Sequence, residues 1–468
     1  MSEKLEFGMV GLGVMGNAMS LNLADHGYSV AGLATSEDKA KAFTALGKSV
    51  KGFSDTKGFV ESIRKPRPIM MLVPAGKPVD DVIAELKPLL EEDDLLIDGG
   101  NSYFKDTDRR AKDLESIKMG FFGMGVSGGQ EGARYGPSMM PGGIERLWDR
   151  VKPILEKVSA KSEDGAPCVA LMGPGSSGHY VKMVHNGIEY AIMEATAEIY
   201  DVYKRGLGKS NDEIGKIFAS WDERELKSFL VEITADVLQY VDPKINKNLV
   251  DLISDKAKQK GTGKWTSQDA MDLGVPVPSI DISVSARELS GYQDERKQLS
   301  GIYKATAVNS IDLKVENLLH DALYMAMIIS YTQGFSQLRI ASADYSYDLK
   351  LEVVAKIWRA GCIIRSAFLQ QIMDAFKKNN SLHNLLMDAE VSKTVLKLQG
   401  SLRSVVGYMA ASGLPCPMLS ASLAYFDAMR SEHLPTNLIQ AQRDFFGAHT
   451  YERTDMPGVF HTQWTSKS

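Results

Sequence analysis

Up to residue 176, short apolar runs alternate with longer stretches of mixed polarity. Phe7–Val10 is one such run, and it ends in Gly11-Leu12-Gly13-Val14-Met15-Gly16. Helical spacing follows as far as His26, where Gly27 supplies a stop. Tyr28–Leu33, Ile69–Val73 and Leu95–Ile97 read as further buried strands. Gly120–Met124 and Val169–Met172 read the same way, each leading into a glycine-rich turn. This alternation predicts an α/β, Rossmann-like domain over 1–176, built on a doubly wound, mostly parallel sheet with right-handed crossovers. From Ser177 to about His433 the apolar spacing becomes helical and strand signals nearly vanish, which predicts a large all-α domain over 177–434. Asp321–Leu338 and Val353–Phe376 read as core helices, while Asp312–Val353 holds several helices whose ends the pattern does not place. From Pro435 on, the mixture of polar, aromatic and glycine residues predicts an irregular tail over 435–468.

Charge and composition narrow the function. The 468 residues include 54 basic and 59 acidic side chains, a net charge of −5, so the basic excess that nucleic-acid binding needs is missing. Three cysteines, Cys168, Cys362 and Cys416, lie far apart without C-x-x-C spacing. They read as reduced thiols of a cytoplasmic protein, not as a disulfide framework or a zinc site. No uninterrupted apolar run reaches the length of a membrane span, and the polar Met1–Glu6 segment reads as no signal peptide. The histidines show no metal-ligand spacing and there is no G-x-S-x-G elbow, so neither a catalytic metal nor a serine hydrolase is expected.

Ligands of open α/β sheets bind outside the carboxyl ends of the strands. Four turns fall there: Gly11–Gly16, Pro74-Ala75-Gly76, Gly99-Gly100-Asn101-Ser102 and Val126-Ser127-Gly128-Gly129. Together they outline a cleft. In the G-x-G-x-x-G, Gly11 permits the tight turn, Gly13 lets a pyrophosphate approach the backbone, and Gly16 lets helix and strand pack closely. The end of the second strand, Ala34-Thr35-Ser36, carries neither the acid that holds the ribose diol of NAD nor the arginine that takes the 2′-phosphate of NADP. Glu37 and Asp38 read as caps of the next helix.

A second constellation is His179 to Tyr190. At 100° per residue, Lys182, His185, Asn186 and Glu189 share one helical face, beside an apolar face of Val181, Val184, Ile188 and Ile192. A solvated face with a Lys–Glu contact is the plain alternative. The segment opens the second domain, next to the cleft, which favours a base and an acid for catalysis. A third segment, Gln259 to Thr266, is glycine-rich and basic but lacks P-loop spacing. Its N–H groups and lysines suit a phosphate, with an ordinary surface turn as the alternative.

These strings carry a resemblance, and others extend it along essentially the whole chain: Ile97 to Ser102, Glu131 to Pro137, Lys260 to Trp265, Trp358 to Ser366 and Gln440 to Tyr451. The sequence resembles the decarboxylating 6-phosphogluconate dehydrogenases of the pentose phosphate pathway. The resemblance implies NADP-dependent oxidation of 6-phosphogluconate to ribulose 5-phosphate and CO₂ without a metal, with Lys182 as general base and Glu189 as general acid. It implies substrate contacts at Asn101, Ser127, Gly128, Gly129, His185, Asn186, Tyr190, Lys260, Thr262 and Arg287. It also implies a homodimer in which the tail of one subunit brings Arg443 and His449 to the other's site. Cofactor contacts are implied at Gly11, Leu12, Gly13, Val14, Met15, Gly16, Ala34, Thr35, Ser36, Val73, Pro74, Ala75 and Asn101. Two departures bear on the cofactor. The family usually has Asn-Arg-Thr where this chain has Ala34-Thr35-Ser36, and often lysine at Pro74, so weaker discrimination for NADP, extending to use of NAD, is expected. Two rival readings are a non-decarboxylating β-hydroxyacid dehydrogenase of the 3-hydroxyisobutyrate type and a cofactor-binding protein without turnover.

Overall fold

The computed structural model describes residues 4–303 and 315–465. The chain divides into two units, Met1–Ser422 and Leu423–Ser468. The first is built on a seven-stranded sheet: β1 (Phe7–Val10), β2 (Val30–Leu33), β3 (Val50–Phe53), β4 (Pro68–Met71), β5 (Leu95–Asp98), β6 (Gly120–Ser127) and β7 (Ser138–Gly143). The spatial order is β3-β2-β1-β4-β5-β6-β7. All neighbouring strands are parallel except β6 and β7. Alternate side chains serve opposite faces. Phe7, Met9, Met70 and Ile97 enter one core, and Val10, Ile69, Met71 and Leu96 the other. Both faces are therefore covered, which explains the continuous apolar runs. The order reverses between β1 and β4, the switch point where a crevice opens at the strand ends.

The helix after β1 runs Val14–Asp25 and ends at Gly27, with φ 89°, as the stop residue requires. β6 continues to Ser127, three residues past the expected end. Val169–Met172 is not a strand; Val169 makes an isolated bridge to Met139. Ser36, not Glu37 or Asp38, caps the next helix, Glu37–Thr44. Its hydroxyl accepts from the Lys39 N–H, and the two acids occupy the first turn.

Beyond residue 176 the first unit is almost entirely helical. Ser177–Asp201 and Leu319–Asp344 are its long buried helices. The Asp321–Leu338 reading falls inside the second of these, and the start of the Asp312–Val353 segment lies outside the described residues. Val353–Phe376 is not one helix. Leu351–Ile357 and Phe368–Lys378 are separated by Trp358–Ala367, with Gly361 at φ 66°. In the Leu423–Ser468 unit the tail is more regular than expected. Thr436–Gly447 is a helix, and Tyr451–Glu452 pairs with Val459–Phe460. Its apolar residues Leu438, Ile439, Phe445 and Phe446 recur at helical spacing and are exposed in this chain. No described helix is long and apolar enough to cross a membrane.

Candidate active site

At the switch point a cavity of about 570 Å³ is lined by Val10 to Gly13, Leu33 to Thr35, Lys39 and Leu72 to Pro74, among others. Its floor demands glycine. A Cβ on Gly11 (φ 91°) would lie 2.5 Å from the Leu72 carbonyl oxygen, and one on Gly16 would lie 2.0 Å from the Gly11 carbonyl oxygen. Around Gly13 there is open space instead. The Val14–Asp25 helix begins there with no side-chain cap, leaving its first N–H groups for an anion. A dinucleotide pyrophosphate fits this cradle.

The Ser177–Asp201 helix lies directly across β6 and β7. A Cβ on Gly125 would come 2.3 Å from the Lys182 Cβ, and one on Gly178 would come 2.1 Å from the Met140 carbonyl oxygen. Glycine on both sides thus brings the helix against the sheet and seats Lys182 over β6. Lys182 is buried, and desolvation lowers its pKa from 10.5 against the opposing pull of Glu189 and Cys362. Burial raises the Glu189 pKa from 4.5, with Lys182 and Arg287 pulling it down. The Glu189 side chain keeps about a fifth of its surface open to solvent.

A directed hydrogen-bond chain holds this face. The Ile363 N–H donates to Ser127 Oγ (3.3 Å), which also lies 3.1 Å from His185 Nε2. His185 is fully buried, and its pKa lies well below 6.5 through desolvation and the neighbouring Lys182, so the ring is neutral. Asn186 Nδ2 donates to Thr262 Oγ1 (2.9 Å), which turns the Asn186 Oδ1 acceptor to His185 Nδ1 (3.0 Å), so the ring proton sits on Nδ1 and Nε2 accepts from Ser127. The same Nδ1–H lies 3.3 Å from Lys182 Nζ. A neutral amine accepts there; an ammonium would set two donors against each other. Geometry and burial both favour Lys182 as a base.

The far wall is basic and aromatic. Arg287 stacks on Tyr190, 3.4 Å from the ring centroid, and a Cβ on Gly263 would lie 2.5 Å from Cδ2 and Cε2 of the same ring. Gly261, at φ 98°, starts the Thr262–Asp272 helix with no side-chain cap, next to exposed Lys260. Uncapped N–H groups, Lys260 and Arg287 together suit a phosphate.

Many of the expected residues fall at two places in the first unit. Lys182, His185, Asn186 and Glu189 share a helix face as expected; Ser127 joins them, and Thr262, Tyr190 and Arg287 form the adjoining wall. Gly128 and Gly129, at φ 116° and 62°, turn the chain after β6, and Asn101 is exposed on the turn after β5. Gly11, Leu12, Gly13, Ala34, Thr35, Val73 and Pro74 line the cavity, whereas Val14, Met15, Gly16, Ser36, Ala75 and Asn101 do not. Met15 packs on the sheet core, and Ser36 serves as the helix cap. Arg443 and His449 are exposed in the second unit, with Arg443 donating to Gln440. Sequence reasoning missed two participants. Lys39 reaches back to Thr35, with Nζ donating to Oγ1 at 3.0 Å. The signal for it was a basic residue four positions on in a helix. The Ile363 N–H depends on the break at Gly361 and carried no signal.

Family models match both parts of the chain: "NAD binding domain of 6-phosphogluconate dehydrogenase" over residues 6–173, and "6-phosphogluconate dehydrogenase, C-terminal domain" over 178–464. The chain is 50% identical over 467 residues, 99% of each protein, to a Bacillus subtilis protein named "6-phosphogluconate dehydrogenase, NADP(+)-dependent, decarboxylating". It is 50% identical over 463 residues, 98% of each, to a decarboxylating 6-phosphogluconate dehydrogenase of Lactococcus lactis subsp. lactis. The Plasmodium falciparum 6-phosphogluconate dehydrogenase, solved in its apo form and with NADP⁺ or 6-phosphogluconate, superposes with a TM-score of 0.94 at 41% identity, over 98% of this chain and 100% of that one. This chain belongs to the 6-phosphogluconate dehydrogenase family.

Proposed function

We infer that the chain oxidises 6-phosphogluconate to ribulose 5-phosphate and CO₂ with reduction of NADP. The observation that carries this reading is a buried lysine whose pKa burial lowers, on the same helix face as a carboxyl whose pKa burial raises, in the unit that also holds the dinucleotide cradle. The Gly11–Gly16 cradle would hold NADP, which when bound would supply the hydride acceptor for C3; the remaining work falls to the protein. Neutral Lys182 removes the C3 hydroxyl proton as the C3–H bond breaks. The resulting 3-keto acid loses its carboxylate as CO₂, and the electron pair moves onto the C3 oxygen. Protonated Lys182 stabilises and protonates that oxygen, giving an enediol. Glu189 then protonates the carbon that lost CO₂, C1 of the product, while Lys182 takes the enol proton back. The whole-chain family match leaves no place for the 3-hydroxyisobutyrate-type reading or for a binding protein without turnover.

For the cofactor's 2′-phosphate, the chain offers Thr35 and Lys39 where the family usually has an arginine. A lysine is a single point charge without the bidentate fork, so NADP is preferred, but by less than about 100-fold in kcat/KM, or about 2.7 kcal/mol. Steady-state kinetics with both cofactors tests this. Lys39→Ala is expected to lower kcat/KM for NADP about tenfold and leave NAD unchanged. Equal losses with both cofactors would remove Lys39 from that role. The active form in this reading is a homodimer, each tail supplying Arg443 and His449 across the dimer. Its support is the exposed apolar surface of Leu438, Ile439, Phe445, Phe446 and Trp464.

A further inference from the structure

We propose that Arg110 is a positioning residue that sets the spacing between the cofactor-facing turn after β4 and the substrate-facing turn after β5. Arg110 lies in the Phe104–Glu115 helix with 2% of its surface exposed. Its guanidinium reaches both turns. Nη2 donates to the Gly76 carbonyl oxygen at 3.0 Å, at the end of the Val73–Gly76 turn. Nε and Nη2 grip Asp80 from two sides, at 2.8 and 3.1 Å, in the first turn of the Lys77–Leu86 helix that this turn begins. Hydrogen bonding to Arg110, the largest influence, holds the Asp80 carboxyl down at about 2, so the grip is ionic at any working pH.

The third nitrogen points the other way. Nη1 lies 3.6 Å from Asp98 Oδ2 and is buried with no hydrogen-bond partner. Asp98, fully buried at the end of β5, shapes the next turn. Its Oδ1 accepts from the Gly100 N–H at 3.0 Å and its Oδ2 from Ser102 Oγ at 2.6 Å. The two turns already abut, since a Cβ on Gly100 would lie 3.2 Å from the Val73 carbonyl oxygen. One planar fork therefore spans the groups that fix Pro74–Gly76 and those that fix Gly100–Ser102, with Asn101 between them. A lysine cannot make these contacts at once. Hydride transfer is sensitive to sub-ångström placement of donor and acceptor, so loss of this span falls on the chemical step.

The proposal rests on the function inferred above, and the test separates the two. In Arg110→Lys, kcat is expected to fall at least about tenfold, by more than KM for 6-phosphogluconate rises. The isotope effect with substrate deuterated at C3 should grow as hydride transfer becomes slower than the steps around it. Asp80→Asn, which keeps the shape of the carboxyl, should change kcat in the same direction. Arg110→Lys combined with Asp98→Asn should cost less than the product of the single effects, because the two act through one contact. NADPH binding, followed by its fluorescence, should weaken in Arg110→Lys whatever the substrate proves to be. Kinetics and NADPH affinity within about twofold of native in a folded Arg110→Lys chain would overturn the proposal. So would a lower kcat explained entirely by a smaller folded fraction in thermal melts. Absence of turnover by the native chain would instead overturn the function and leave the NADPH measurement to decide on Arg110.

Discussion

In the proposed reaction Lys182 and Glu189 divide the chemistry, and burial moves their pKa values in opposite directions, that of the lysine down and that of the carboxyl up. The sign of the pH dependence follows. Raising the pH deprotonates Lys182 and switches on proton removal from C3. Raising the pH also deprotonates Glu189 and switches off protonation of the carbon that becomes C1 of the product. The profile of kcat is therefore bell-shaped, because turnover needs Lys182 deprotonated and Glu189 protonated. Glu189→Gln should remove the alkaline limb and keep the acid limb, and Lys182→Arg should lower kcat by about 10²–10⁴-fold. An unchanged profile in Glu189→Gln would take the acid's role away from it. At this scale the site was readable because helical spacing alone puts Lys182, His185, Asn186 and Glu189 on one face. Lys39 was not, since it lies one helical turn beyond the strand end and reaches the cavity only by folding back to Thr35.

At the scale of elements, what matters is where segments break or approach. Val353–Phe376 has the spacing of one helix, yet the chain turns at Gly361 to present the Ile363 N–H to Ser127. Hydrophobic period does not show such a turn, because the apolar, buried Cys362 and Ile364 carry the run of core residues straight through it. β7 went unnoticed for a related reason: Ser138–Gly143 is glycine- and methionine-rich, and its antiparallel pairing with β6 is a tertiary outcome. The Thr436–Gly447 helix exposes Phe445 at 59% and Phe446 at 73%, surface that the dimer reading assigns to a second copy. The variant Phe445→Glu with Phe446→Glu should sediment as a monomer and lose turnover. A native chain that sediments as a fully active monomer would contradict the dimer.

For the whole molecule, the sheet order explains why the two sites lie together. Reversal between β1 and β4 opens the crevice at Gly13, and β6 carries the chain on to Ser127, beneath the Ser177–Asp201 helix. This architecture was legible early, because parallel strands covered on both faces read as continuous apolar runs and the change to helical period near residue 176 is abrupt. The central claim is that one active site both oxidises C3 and releases C1 as CO₂. Its most direct test is to count labelled CO₂ from 6-phosphogluconate labelled at C1 against the NADPH formed. The account predicts one-to-one release, lost from both counts in Lys182→Arg. NADPH formed without labelled CO₂ would contradict it.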